Sequence, residues 1–185
     1  MAILDIVQYG NPILRKKCKP VKNFLIIEDL LVDMFDTMYE ADGIGLAANQ
    51  VGFDLSLFII DITHTDEADE PNIFINPKIT SKGGVEDTYA EGCLSFPEIT
   101  LEVIRPKEIS LKYQTLDEKW HEDTFSGLLS RAIQHEMDHL DGIYFIDRIS
   151  QFDLIKYKQR LLDIESNYKK KSVRLNEGST KNFLL

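Results

Sequence analysis

The chain of 185 residues is 43% hydrophobic and 28% charged, which fits a single folded domain, and its formal net charge of −10 excludes whole-surface affinity for nucleic acid. Residues 1–17 lack a basic start followed by an apolar core, and the longest apolar run, LSLFII at 55–60, is too short to cross a bilayer, so neither a secretory signal nor a membrane anchor is expected. Two cysteines, Cys18 and Cys93, make no disulfide framework, and a reducing cytoplasm is the simplest compartment.

In chain order, Ile27, Leu31, Met34 and Met38 step by 4, 3 and 4, predicting a helix over 27–41 with one buried stripe, ended by Gly43. Short strands are predicted at 55–61 and 72–76, separated by the acidic stretch THTDEADE. Residues 100–104 and 108–113 read as a strand pair around Arg105-Pro106, because Ile109, Leu111 and Tyr113 alternate. A second helix is predicted over about 125–140, with Asp123 or Thr124 as cap and Gly142 beyond its end. A third, over about 151–168, follows from the stripe Leu154, Tyr157, Leu161, Ile164 and Tyr168. The order helix, strands, helix, helix indicates an α+β fold. One domain over 1–168 is expected, followed by a loose basic and polar tail at 169–185, where the period is lost.

Two segments of this chain carry chemistry. GIGLAANQVG at 43–52 contains Gly43, Gly45 and Ala48 in the G-x-G-x-x-G/A spacing of a dinucleotide turn, with Asp61 downstream. That reading fails on context: the turn needs a strand before it and a helix after it, whereas here a helix precedes and a strand follows within a few residues. What remains is a bare backbone that another chain can approach closely, ending in Gln50. QHEMDHLDG at 134–142 contains H-E-x-x-H. Residues four apart on a helix lie about 40° apart around its axis, so His135 and His139 share a face and can chelate one divalent metal, with Glu136 beside them. Leu128 and Ala132 continue that stripe, placing the histidines toward the interior. A catalytic metal wants a third protein ligand; no histidine follows His139, and Cys93 in EGCLSFP is the better candidate than the downstream acids or Cys18.

Together GIGLAANQ (43–50), EGCLS (91–95) and QHEMDHLDG (134–142) resemble the three motifs of peptide deformylases, in order and with similar separations, and NPILRK near the N-terminus is similar too. The resemblance spans about Pro12 to Ile149; Asn49 departs from it, standing where many relatives have proline. It implies antiparallel sheets around a central helix carrying H-E-x-x-H, between an N-terminal and a C-terminal helix. It implies metal ligands Cys93, His135 and His139, a general base Glu136, and oxyanion donors in the Gln50 amide and the Leu94 N–H. The reaction implied is hydrolysis of the formyl group at the N-formyl-methionine end of a new polypeptide, with Fe²⁺ as the metal and Zn²⁺, Ni²⁺ or Co²⁺ able to substitute. Ile44 and Gly45 would lie along the substrate. Leu128 is a candidate for the methionine pocket or plain core; Arg131 for the pocket rim or the surface; Arg105 for a partner of Glu91 or the surface. A ribosome contact through Lys156, Lys158, Arg160, Lys169, Lys170, Lys171 and Arg174, and a monomeric state, complete the expectations. The competing readings are an H-E-x-x-H zinc peptidase, using a ligand other than Cys93, and a closed structural metal site, in which Glu136 has no task.

Overall fold

The computed structural model describes residues 2–180, with side chains described through Lys170. Its elements are helix α1 (Glu28–Glu40), strands β1 (Gly45–Ala47), β2 (Leu57–Ile60), β3 (Asn72–Gly92), β4 (Thr100–Gln114) and β5 (Trp120–Ser126), then helices α2 (Gly127–Leu140), α3 (Gln151–Leu154) and α4 (Lys158–Thr180). The five strands form one antiparallel sheet in the order β1-β2-β3-β4-β5, so the α+β expectation holds.

The predicted stripe of α1 is buried, with Ile27, Leu31, Met34 and Met38 packed on Leu46, Leu57 and Ile59. Its end is a Schellman turn: Gly43 N–H returns to Met38 O, Asp42 N–H to Tyr39 O, and Asp42 takes the left-handed conformation at φ +54°. The alternate residues of β2, Phe58 and Ile60, face the other way, joining Phe74, Ile109, Leu111, Ile133 and Leu140 under α2. The short apolar run of β2 is thus buried on both faces, between two helices. A third cluster joins Phe96, Val103, Tyr144 and Phe145 to Leu161 and Ile164, which dock the start of α4.

Four boundaries differ from the sequence reading. The strand expected at 72–76 runs on to Gly92, and most of its residues beyond Lys78 are exposed, so no apolar alternation marks them. Residues 100–104 and 108–113 do not pair with each other but form one strand, β4, between β3 and β5. Pro106 is tolerated there because it sits opposite Glu86 beside the register shift at Gly83/Glu86. Strand β5 was not foreseen, and α2 starts after it with Ser126, not Asp123 or Thr124, at the cap position. The donor at that end, Leu128 N–H, is taken instead by the Glu67 carboxylate, 2.6 Å away and 61 residues earlier. Finally, the helix expected over 151–168 is broken at a 3₁₀ turn, Ile155–Tyr157, and α4 then continues past Tyr168 to Thr180. Of the tail expected at 169–185, residues 181–185 lie outside the described residues. No helix of the described residues is long and apolar enough to cross a membrane.

Candidate active site

Helix α2 has ten of its 14 residues buried, which is unusual for a sequence this polar and demands partners for its charges. Its C-terminus is closed by Gly142 at φ +72°, where a side chain would strike the Arg15 carbonyl at 2.5 Å. The two histidines of H-E-x-x-H project together, their rings 5.2 Å apart. Cys93, in the turn between β3 and β4, meets them: its Sγ lies 3.2 Å from His139 Nε2, and the three donor atoms fall within 4.8 Å of one another. The described residues hold no other such group of three. One soft thiol and two imidazoles at this separation fit a four-coordinate divalent metal with one position left open.

The first histidine is oriented from behind. His135 Nδ1 lies 3.0 Å from Glu91 Oε2, which leaves Nε2 for the metal position. Glu91 is held in turn by Arg105, Nε to Oε1 at 2.7 Å and Nη2 to Oε2 at 2.9 Å, and by Arg131 Nη1 at 3.1 Å. Arg105 also binds Asp138 at 2.7 Å, and Arg148 binds the same carboxylate. Burial alone would raise the Glu91 pKa, but the hydrogen bonds from Arg105 and His135 hold it at about 2. His139 is pushed toward the neutral form by burial and by the positive charges near it.

Glu136 has no such partner. Burial pushes its carboxyl up to about 7, and its Oε2 is buried without a hydrogen-bond partner among the described residues. It lies against Gly45: a side chain there would come within 2.6 Å of Glu136 Oε1. A side chain at Gly43 would likewise meet Leu94 at 2.8 Å. The small residues of GIGLAANQ are therefore explained by the close approach of the other two motifs, not by a phosphate. Gln50, 1% exposed, accepts Ala47 N–H at 2.8 Å through Oε1 and turns Nε2 toward Ser95 Oγ (3.2 Å) and Cys93 Sγ (3.6 Å).

These groups open into a cleft of about 450 Å³, whose walls include Ile44, Gly45, Gln50, Leu94, Leu128, Arg131, His135 and Glu136. Cys93, Gln50, Leu94, Glu136 and the pocket candidates Ile44, Gly45, Leu128 and Arg131 thus gather at one place, with His139 at the metal position beneath. Two assignments sharpen. Arg131 is buried by its ties to Glu91, Asp87 and the Val103 carbonyl, so it stands in the wall and not in water. Arg105 is 3% exposed and bonded to Glu91, which rules out a surface arginine. Sequence reasoning missed Asp138, Arg148 and Ser95. Asp138 lies inside the third motif, three residues after His135, but its partner Arg105 stands 33 residues earlier on β4, and no local spacing marks that pairing. Asn49 donates Nδ2–H to the His139 carbonyl at 2.6 Å, tying the first motif to the third.

The model of the polypeptide deformylase family matches residues 3–154. A peptide deformylase of Christiangramia forsetii is 42% identical over 177 residues, covering 88% of this chain and 89% of that protein. That of Chlorobaculum parvum is 46% identical over 164 residues, covering 86% of each. Among solved structures, the peptide deformylase of Plasmodium falciparum superposes with a TM-score of 0.84 at 38% identity, covering 90% of this chain and 98% of that one. The Thermotoga maritima peptide deformylase gives a TM-score of 0.76 at 40% identity, covering 81% and 99%.

Proposed function

The chain belongs to the peptide deformylase family and acts on N-formylated nascent polypeptides, and from that premise we propose how its own residues divide the work. Cys93, His135 and His139 would hold one divalent metal, Fe²⁺ in the cell with Zn²⁺, Ni²⁺ or Co²⁺ as substitutes. That ion supplies Lewis acidity for water and for the formyl oxygen. Glu136 is the proton carrier: a buried carboxyl near pKa 7 can take a proton from the attacking water and deliver it to the leaving amine. The Gln50 Nε2–H and the Leu94 N–H bind the oxygen on which negative charge grows, each worth about 3–4 kcal/mol when aligned. Glu91, held by Arg105 and Arg131, keeps His135 in the tautomer that presents Nε2. The bare edge at Ile44 and Gly45 receives the peptide backbone in strand fashion, and Leu128 packs against the methionine side chain.

The single observation that supports this reading over a zinc peptidase is Cys93 Sγ at 3.2 Å from His139 Nε2, a thiol in the ligand position instead of a downstream histidine or glutamate. The test is formate release from formyl-Met-Ala-Ser beside amine release from the unformylated peptide, with protein loaded anaerobically with iron. Formate release alone is expected; amine release from the unformylated peptide would return the peptidase reading.

We further propose a cytoplasmic site of action and a ribosome contact through the basic residues of α4 and its approach, among them Lys156, Lys158, Arg160, Lys169 and Lys170. Arg160 is partly engaged by Glu98, Lys169 by Glu165 and Lys156 by Asp153, which leaves Lys158 and Lys170 for phosphate. Of the expected contacts, the side chains of Lys171 and Arg174 lie outside those described. Neutralising Lys169, Lys170 and Lys171 together should weaken ribosome co-sedimentation and flatten its salt dependence, leaving hydrolysis of a free peptide unchanged. Undiminished sedimentation at every salt concentration would remove this contact.

A further inference from the structure

The Gln50 amide is aimed from both ends. Its Oε1 accepts Ala47 N–H at 2.8 Å, so the amide cannot flip without losing a buried bond. Its Nε2 carries two hydrogens. One points to Ser95 Oγ at 3.2 Å and the other toward Cys93 Sγ at 3.6 Å, so the Ser95 hydroxyl occupies one and leaves the other for an oxygen arriving beside Cys93.

The two loops that carry these side chains are bridged at the backbone by a third segment. Val7 N–H donates to the Gln50 carbonyl at 2.7 Å, and Tyr9 N–H donates to the Ser95 carbonyl at 2.9 Å. Residues 7 and 9, two apart in the chain, thus give one donor to each loop. The segment is itself fixed, with Val7 in the core and the Tyr9 ring packed 5.2 Å from Phe96 and 5.5 Å from Tyr144. Gln50 and Ser95, 45 residues apart in sequence, are therefore joined twice, once through their side chains and once through residues 7–9.

We propose that residues 7–9 and the Ser95 hydroxyl act as a positioning clamp, which sets where the Gln50 amide stands relative to Cys93. The proposal rests on Gln50 being an oxyanion donor. Neither Val7 nor Tyr9 touches substrate in this account; they act through Gln50 and Ser95. A misplacement of about 1 Å at a reacting centre can cost about 100-fold in rate, so a clamp of three hydrogen bonds is enough to matter.

The test is a set of double-mutant cycles. Ser95→Ala removes one hydroxyl, and Val7→Pro or Tyr9→Pro removes one backbone donor. Each is made in the wild-type and Gln50→Ala backgrounds, with kcat, KM, metal per chain and melting midpoint measured. Each change should lower kcat about tenfold or more in the wild type, with KM and metal content held. In Gln50→Ala each should change kcat less than about twofold, because there is no longer an amide to misplace. Equal losses in both backgrounds would make the segment merely structural and overturn the clamp. An unchanged kcat on Gln50→Ala alone would overturn the oxyanion role and the clamp with it. A large loss there beside no loss on Ser95→Ala and either proline change would overturn the clamp alone. If the proline variants fail to fold, Ser95→Ala, which leaves the backbone intact, decides by the same criterion.

Discussion

Behind α2 and along α4, this molecule uses opposite charges in two ways. Glu91, Arg105, Arg131 and Asp138 are buried and pair with one another across β3, β4 and α2, over 14 to 40 positions of chain. On α4 the pairs are wet: Lys169 reaches Glu165 one turn away with 64% of its side chain exposed, and Arg160 meets a Glu98 whose side chain is 77% exposed. The first arrangement orients a metal ligand through His135, and each member left alone would be an uncompensated charge out of water. The second solubilises a helix face that touches the core only through residues such as Leu161 and Ile164. Charge near the site is therefore a matter of geometry, and charge on α4 a matter of surface.

The largest effect expected is at the one buried acid that the network leaves free. Glu136→Gln should keep its metal and lose about 10²–10⁴-fold in kcat, read by metal analysis beside formate release. Loss of the metal instead would make Glu136 a ligand or an anchor.

Next comes the network itself. Arg105→Leu takes from Glu91 and Asp138 the guanidinium they share, leaving each one arginine, and should destabilise the fold by about 3 kcal/mol in urea unfolding. Lys169→Ala should change it by about 0.5 kcal/mol or less. Similar costs for the two would erase the contrast between the regions.

The distinction extends to acid. Glu91 titrates near 2 in the folded chain against an ordinary 4.5, so the stability it contributes is present above the ordinary value and lost as the pH falls from about 4.5 toward 2. Glu91→Gln should therefore be less stable near neutral pH and show a shallower loss across that window. An unchanged acid limb would mean that the carboxylate is not held as described.

Much of this was legible in the sequence, for physical reasons that also explain the failures. The stripe of α1 could be read because one face of it is buried and side chains repeat every turn, and α2, buried on most sides, could still be read from Leu128, Ala132, His135 and His139 in line. The metal cluster could be read because His135 and His139 lie one turn apart and cysteine is scarce. The extension of β3 beyond 76 and all of β5 could not, because Lys78 to Ala90 and Trp120 to Ser126 are mostly exposed and carry no alternation; their register comes from β4. Pro106 looked like a break and is instead accommodated at a bulge. The start of α2 was misjudged because its cap, Glu67, comes from a distant loop. Asp138 and Arg148 were missed because their meaning depends on Arg105 folding across them.

The smallest effect separates the two cysteines. Burial pushes the Cys18 thiol up to about 12, so at pH 8 it should resist iodoacetamide in the folded protein and react only on unfolding. Rapid modification of Cys18 in the native state would place it nearer the surface than described.

The most direct test of the central claim, that two remote motifs build one Cys/His/His centre, is X-ray absorption at the metal edge of the iron- or nickel-loaded enzyme. The account predicts one sulfur at about 2.3 Å and two imidazole nitrogens in the coordination shell, the sulfur lost in Cys93→Ser and kept in Cys18→Ser. A shell of nitrogen and oxygen alone in the wild-type protein would contradict it.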